Sequence, residues 1–460
     1  MKPSQSTNGP DTDATERGVR PRSASDDVPA TLRVLIEQPG LLVDQPVGLV
    51  ITGCQAGDPV VAHARLDDGA ACYEAKGTFH ADEHGRVDTA RTASRAGTYV
   101  GIDPFGLWWS GIPAGPSTGA AATSMLLQVT VETPHGSAES VLERRSLAAG
   151  ATVREVREVR ERGVWGLYAR PAGPGPFPGV VAFGGSGGGL GPAASWAPIL
   201  ASHGFAVLAI AHFGVPGLPA SLVGIEVETV ERAVKWLGDQ GEVAMDTIAA
   251  MGMSRGSELA FLASALLDHV GPVVAFAPSG VSWAGLDAGG PVDAPAWTFR
   301  GDPIPYMPIG AAAAAGQVQS TAPLALRAAF EGALRDEAAI SGAEIPVERA
   351  KGPILMVSGE DDAMWPSAPM GEIARRRAVS HGFAHDIHHL RYPDAGHICG
   401  GVPGTPIVLE TRHPMTGGYY SFGGTRAGNA AARADSWPRV LAFLNDALPT
   451  ERRPEQPTSQ

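Results

Sequence analysis

Cysteine is scarce. Cys54, Cys72 and Cys399 are the three in 460 residues, an odd number without metal-ligand spacing, so neither a disulfide framework nor a metal site is expected. No apolar run reaches the length that spans a bilayer. The first 27 residues are polar and lack the apolar stretch of a secretory signal, so the expectation is a cytoplasmic protein without a membrane span. Positive charge is also short: 35 Lys and Arg stand against 48 Asp and Glu, a net charge of −13. A broadly acidic surface repels the phosphate backbone, which argues against nucleic-acid partners. What is plentiful is apolar residues, at 44%, with 59 Gly and 39 Pro. That composition supports large buried cores joined by many tight turns, and the length suits two domains.

The polar stretches at 1–27 and 449–460 are expected to be a disordered N-terminal segment and a flexible tail. Between 28 and 150, short apolar or alternating runs at 32–36, 47–52, 60–66 and 125–132 are separated by Gly, Pro and Asp turns. This spacing predicts an all-β, immunoglobulin-like sandwich. From 151 to 448 the pattern changes. Strand-like runs at 180–183, 206–211, 248–251, 273–277 and 354–358 alternate with helical stretches at 226–237, 258–267 and 324–339, which predicts a mostly parallel sheet covered by helices on both faces. The alanine run at 311–315 belongs to a helix or a lid, and the wider segment 302–349 is either a lid or a peripheral insertion.

The run at 248–251 leads into Gly252-Met253-Ser254-Arg255-Gly256 and then a helical stretch. G-x-S-x-G between a strand and a helix is the nucleophile turn of an α/β-hydrolase, in which a sharp turn presents the serine at the carboxyl end of the sheet. The bland alternative is a helix-capping serine after a glycine turn. A serine hydroxyl needs a base, and the base needs an orienting carboxylate. In this fold they follow in the order Ser, acid, His. After the strand at 354–358 comes Gly359-Glu360-Asp361-Asp362-Ala363-Met364-Trp365-Pro366, where Asp362 is the preferred acid and Asp361 the alternative. Tyr392-Pro393-Asp394-Ala395-Gly396-His397 then places His397 in a loop beyond a strand, as the base. His381, His385, His388 and His389 compete with it; His381 and His385, four residues apart, could share a helix face, which is read as a surface helix rather than a metal site.

The turn Phe183-Gly184-Gly185-Ser186-Gly187-Gly188-Gly189 leaves backbone N–H groups unobstructed. Gly185, Ser186 and Gly187 in that turn, with the Arg255 N–H directly after the serine, are the expected donors to an oxyanion. A dinucleotide-binding loop fits less well, because the second glycine position is Ser186 and no acidic ribose partner follows at the proper place. Trp108, Trp109, Trp283, Trp297 and Trp365 are candidates for an apolar pocket, or ordinary core aromatics. No cofactor is expected.

Taken in order, these motifs, with Pro174-Gly175-Pro176-Phe177-Pro178-Gly179 and Leu200-Ala201-Ser202-His203-Gly204-Phe205, resemble the acyl-coenzyme A thioesterase and bile acid-CoA:amino acid N-acyltransferase family over about residues 30–445. His413-Pro414-Met415-Thr416-Gly417-Gly418 and Phe422-Gly423-Gly424-Thr425 are similar to its bacterial members, and the segment around Trp108 and Trp109 to a sandwich loop near the active site. The resemblance implies Ser254 as nucleophile, His397 as base and Asp362, rather than Asp361, as acid. It implies a small-molecule acyl thioester, of coenzyme A or an acyl carrier, as substrate; on so acidic a chain, coenzyme A phosphates would need a local basic patch. His212 stands where the family usually has Tyr, which touches substrate range. The family's amino-acid conjugating members use Cys, so Ser254 favours hydrolysis. Transfer of the acyl group to an amine or alcohol, oxygen-ester hydrolysis, and a degenerate hydrolase fold serving as a binding module are the alternatives.

Overall fold

Strict alternation of burial builds the N-terminal sheets. Along Pro59–Asp67, the side chains of Val60, Ala62, Ala64 and Leu66 are buried and their neighbours face outward, the period of two that lays one face of a strand on a core. Ser124–Thr133 repeats the pattern with Met125, Leu127, Val129 and Val131. The computed structural model describes residues 31–36, 42–117, 123–309 and 322–448. The expected tails at 1–27 and 449–460 and the alanine run at 311–315 lie outside the described residues. In the N-terminal part, Pro59–Asp67 and Ser124–Thr133 pair antiparallel within a six-stranded sheet that includes Ala71–His80 and Gly136–Arg145. A three-stranded sheet of Arg33–Ile36, Leu49–Thr52 and Val87–Asp88 adds Val34, Leu49, Ile51 and Val87 to the same core.

The second sheet has eight strands: β1 (Thr152–Glu158), β2 (Val164–Arg170), β3 (Phe177–Phe183), β4 (Ala206–Ile210), β5 (Val243–Met253), β6 (Val270–Phe276), β7 (Ile354–Gly359) and β8 (Ile387–Tyr392). Their spatial order is β1-β2-β4-β3-β5-β6-β7-β8, with β1–β2 and β2–β4 antiparallel and every other pairing parallel. This is an α/β-hydrolase sheet. The central strands are buried along their length because both faces are covered. Val180, Ala182, Val207, Ala249, Met251 and Val274 pack with helices α1 (Ala193–Ser202) and α5 (Arg426–Ala447). The alternate residues Val181, Leu208, Ile248, Ala250 and Val273 pack with α2 (Glu228–Gly238), α3 (Arg255–Leu266) and α4 (Ser367–Ser380).

Two elements differ from expectation. The helix expected over 324–339 is two short ones, Arg327–Ala333 and Glu337–Ala343, because Asp336 accepts the Ala339 N–H (3.0 Å) and starts a new helix. The 22-residue α5 has no counterpart in the sequence reading; its buried face is diluted by alanines and it contains Pro438, so no apolar stripe stands out. Among the described residues no helix is long and apolar enough to cross a membrane.

The N-terminal sheets and the eight-stranded sheet share one apolar core. Asp44 accepts hydrogen bonds from Trp437 Nε1 (2.9 Å) and His203 Nε2 (2.6 Å). Arg426 at the start of α5 donates to the carbonyls of Trp109, Gly111 and Ile407. The Asp44 bonds tie α5 and the end of α1 to the N-terminal sheets, and Arg426 ties the loop after His397 to the Trp109–Gly111 segment.

Candidate active site

The order of strands reverses across β4-β3-β5, so the turns after β3 and β5 leave the sheet side by side, where ligands bind in open α/β sheets. Ser254 follows β5 with a φ of 57° and a ψ of −125°, a conformation that is costly for any residue with a Cβ. Its N–H donates to Phe276 O on the neighbouring strand (2.9 Å). The flanking glycines are forced by packing: a Cβ on Gly252 would stand 2.1 Å from Gly256 O, and one on Gly256 2.1 Å from Gly184 O.

Asp362 follows β7 and is fully buried. Its Oδ1 accepts the N–H groups of Met364 (2.9 Å) and Trp365 (3.2 Å), and its Oδ2 faces His397 Nδ1 at 2.9 Å. With the carboxylate as acceptor, Nδ1 carries the imidazole proton and Nε2 is left as a base. Phe422 stacks on the His397 ring at 6.0 Å and 14°, and Trp365 meets it edge-on at 5.8 Å. The His397 N–H donates to Phe422 O (2.8 Å) and Gly424 N–H to Asp361 O (3.0 Å). The Phe422–Gly424 backbone thereby ties the Asp361–Asp362 loop to the His397 loop.

Ser254 and His397 line one cavity of about 60 Å³. Among the described residues no hydrogen bond joins them, and such contacts are commonly long before substrate binds. One wall is apolar, from Leu286, Pro291, Ile309, Leu326, Phe330, Met364 and Trp365; the other is polar, from Ser186, His413, Thr416 and Tyr420. Leu326 and Phe330 come from the segment expected as lid or insertion, part of which, 310–321, lies outside the described residues.

The glycine turn after β3 lies against the serine. A Cβ at Gly185 would come within 3.1 Å of Ser254 Cβ and 3.6 Å of its Oγ. Ser186 faces the cavity, and Gly187 backs onto Pro414. Arg255 opens α3, where a first-turn N–H has no partner within the helix. Its side chain is engaged elsewhere: Nε pairs with Glu258 Oε1 at 2.8 Å, and the two terminal nitrogens donate to Ala284 O and Trp283 O. Glu258 Oε2 in turn accepts Trp297 Nε1 (2.7 Å). Burial raises the Glu258 carboxyl and lowers the Arg255 guanidinium, and their mutual attraction opposes both shifts.

Several expected pocket residues sit elsewhere. Trp108 and Trp109 are buried where the sandwich meets the 398–409 loop: the Arg144 guanidinium lies 4.7 Å from the Trp108 ring, and Trp109 Nε1 donates to Asp103 (2.7 Å). His212 is enclosed by Phe183, Phe213 and Trp297 and reaches no part of the cavity wall. Trp283 and Trp297 are core residues, and Trp365 lines the cavity. The competing histidines are remote: His381 ends α4, His385 lies beyond it, and His388 and His389 are on β8, the latter bonded to Ser358. Among the described residues no three potential ligands cluster to hold a metal ion. The polar wall of His413, Thr416 and Tyr420 escaped the sequence reading, which noted the first two only as part of a motif; histidine followed by proline in a short hairpin was the one available signal.

Comparison with known proteins agrees with this architecture. Residues 225–450 match the model described as BAAT / Acyl-CoA thioester hydrolase C terminal, and 44–158 match Acyl-CoA thioester hydrolase/BAAT N-terminal region. The peroxisomal succinyl-coenzyme A thioesterase of Mus musculus is 30% identical over 88% of this chain and 94% of its own length. Acyl-coenzyme A thioesterase 1 of Homo sapiens is 28% identical over 88% of this chain and 94% of its own. Among solved structures, Pyrococcus horikoshii acylaminoacyl peptidase aligns at a TM-score of 0.42 and 11% identity over 92% of this chain and 62% of that one, a likeness too loose to argue from. With both halves matched in order and a relative aligned nearly end to end, the chain belongs to the acyl-CoA thioester hydrolase/BAAT family.

Proposed function

We propose that this chain hydrolyses acyl thioesters, with coenzyme A as the thiol carrier, through an acyl-enzyme on Ser254. The observation that carries the reading is the meeting, in one cavity, of a serine held at positive φ and an imidazole whose Nδ1–H is committed to a buried carboxylate. His397 Nε2 takes the Ser254 proton as Oγ adds to the thioester carbonyl. The carbonyl electron pair moves onto oxygen, which accepts from the Arg255 N–H and from the turn at Gly185, Ser186 and Gly187. Collapse breaks the C–S bond, and the thiolate departs with the His397 proton. Water then gives a proton to His397 and attacks the acyl carbon; Ser254 Oγ leaves with that proton and the acid is released.

The apolar wall suits an uncharged acyl chain. The relatives named as acyl-coenzyme A thioesterases support coenzyme A as the carrier. Hydrolysis is favoured over transfer because an oxygen ester on Ser254 discriminates against water less than a thioester on cysteine would. The test is a panel of acyl-CoA esters assayed for free thiol, with mass detection of products, on wild type and Ser254→Ala. Turnover is expected to fall by ~10³-fold or more, and a fluorophosphonate is expected to label wild type at Ser254. Near-full activity of Ser254→Ala, or labelling at another serine, refutes the mechanism.

A further inference from the structure

His413 is held in a short hairpin formed by Glu410–Arg412 and Tyr419–Ser421. Its N–H donates to Gly418 O (2.8 Å), its carbonyl accepts from Gly417 N–H (2.9 Å), and its ring meets Tyr420 edge-on at 5.9 Å. The neighbours of the ring fix its tautomer. The backbone N–H of Thr416 points at Nδ1 from 3.2 Å. A backbone N–H can only donate, so Nδ1 holds a lone pair and the imidazole proton sits on Nε2. Nε2 lies 3.0 Å from Ser186 Oγ, so the histidine donates and the serine accepts. Burial holds the His413 ring below the usual histidine range, which preserves this neutral form; a proton on Nδ1 would confront the Thr416 N–H.

A hydroxyl that accepts in this way keeps its own hydrogen for another partner. Among the described residues Ser186 Oγ has no other hydrogen-bond partner, and Ser186 shares the cavity with Ser254 and His397. It is also the residue after Gly185, whose Cα lies against the Ser254 side chain. The free O–H is therefore available to a substrate oxygen beside the reacting carbon.

We propose that the Ser186 hydroxyl donates a side-chain hydrogen bond to the carbonyl oxygen of the bound thioester, in addition to the backbone donors, and that His413 is a positioning residue that aims it. The proposal rests on Ser254 being the nucleophile. A donor directed at the oxyanion acts more on the transition state than on the bound substrate, so its loss lowers kcat more than it raises KM.

The experiment compares Ser186→Ala, His413→Ala, His413→Gln and the Ser186→Ala/His413→Ala double variant on the acyl-CoA ester that wild type turns over best. Inhibition by a trifluoromethyl ketone analogue of acyl-CoA, which forms a tetrahedral adduct, is measured alongside. Ser186→Ala is expected to lower kcat ~10–100-fold, toward the range seen for single oxyanion donors, with KM changed less than about two-fold, and to weaken the ketone by a matching factor. His413→Ala is expected to lower kcat in the same direction, and the double variant to be no slower than Ser186→Ala, since the histidine acts through the serine. His413→Gln retains an N–H donor and is expected to recover part of the loss. Should His413→Ala fail to fold, the Ser186→Ala and His413→Gln data decide alone. Wild-type kcat and ketone affinity in Ser186→Ala, or losses that multiply in the double variant, overturn the proposal. Fluorophosphonate labelling of Ser254 in Ser186→Ala keeps the two readings apart: if Ser254 labels while Ser186→Ala turns over at the wild-type rate, this proposal fails and the nucleophile stands.

Discussion

The backbone at residue 254 offers a measurement independent of turnover. With φ at 57° and ψ at −125°, Ser254 occupies a region that costs a residue with a Cβ about 1–3 kcal/mol. Ser254→Ala removes the hydroxyl and keeps the Cβ, so it keeps the strain; Ser254→Gly removes both. Comparing the two variants isolates the Cβ. Glycine gains ~2 kcal/mol of relief, loses ~0.7 kcal/mol because its unfolded chain is freer, and loses up to ~0.8 kcal/mol of methyl burial. Ser254→Gly is therefore expected to be about 0.5 kcal/mol more stable than Ser254→Ala. Ala250 supplies the control: it lies in β5, the strand that leads into Ser254, is fully buried and has no positive φ. Ala250→Gly suffers both losses without relief and is expected to cost ~1.5 kcal/mol. The swing between the two sites, about 2 kcal/mol, is the stored strain. Urea unfolding followed by tryptophan fluorescence measures it, with the slopes checked for equality. If Ser254→Gly is less stable than Ser254→Ala by the amount found at the control, residue 254 is not strained and the argument for a nucleophile turn loses its physical basis.

Asp362 Oδ1 is anchored by two backbone N–H groups, so Asp362→Asn should place its amide oxygen there and turn its NH₂ toward His397. That forces the proton onto Nε2, and kcat is expected to fall ~10³–10⁴-fold with little change in KM; a steady-state assay with less than a ten-fold loss would contradict the assignment. His212, pushed down to about 3 by burial and by Arg255, stays neutral in the fold while an unfolded histidine protonates near 6.5. The unfolded state then binds more protons between pH 6.5 and 3, so stability is lost as pH falls, at ~1.4 kcal/mol per pH unit for this group. His212→Phe should flatten that slope in acid-titrated urea melts, and an unchanged slope would exonerate the residue. Trp108→Ala should cost ~3–5 kcal/mol and leave acyl-chain preference intact, whereas Trp365→Ala should change preference across the acyl-CoA panel; the reverse result would move the pocket to the sandwich face. Glu258→Gln leaves the buried Arg255 cation without its counter-charge and should cost ~3 kcal/mol or more in denaturant melts.

The sharp turn at Ser254 was legible because its constraints are local. Gly252 and Gly256 are imposed because an added Cβ would stand 2.1 Å from a backbone oxygen, of Gly256 and of Gly184 in the adjacent turn, and strand, turn and helix follow one another in the chain. The choice between the two aspartates after β7 was less legible. Asp361 and Asp362 are adjacent and chemically identical, and sequence alone ranks them only by position in the turn. The structure separates them by direction: Asp361 points to solvent and engages the 422–424 loop through its backbone, while Asp362 is buried beneath His397. That distinction depends on a hairpin and loop arriving from sixty residues downstream, and no local pattern reports it.

Tryptophan shows why the cavity wall stayed hidden. Trp283 and Trp297 give their indole N–H to Ser279 and Glu258, Trp109 gives its own to Asp103, and Trp437 to Asp44. An indole offers a large apolar face and one donor, so any buried place with a single acceptor suits it, and residue type cannot separate a pocket tryptophan from an interface or core one. The polar wall poses the opposite problem. His413 is short of apolar neighbours in sequence and sits in a Gly-rich hairpin, which reads as a solvated loop. It reaches the site only because Thr416 and Gly418 close that hairpin on the ring and backbone, presenting Nε2 to a turn that follows the third strand of the sheet. A cavity assembled from strand ends declares its strand–turn–helix serine in the sequence; the groups that line the rest of it are set by where loops land, and are found from geometry.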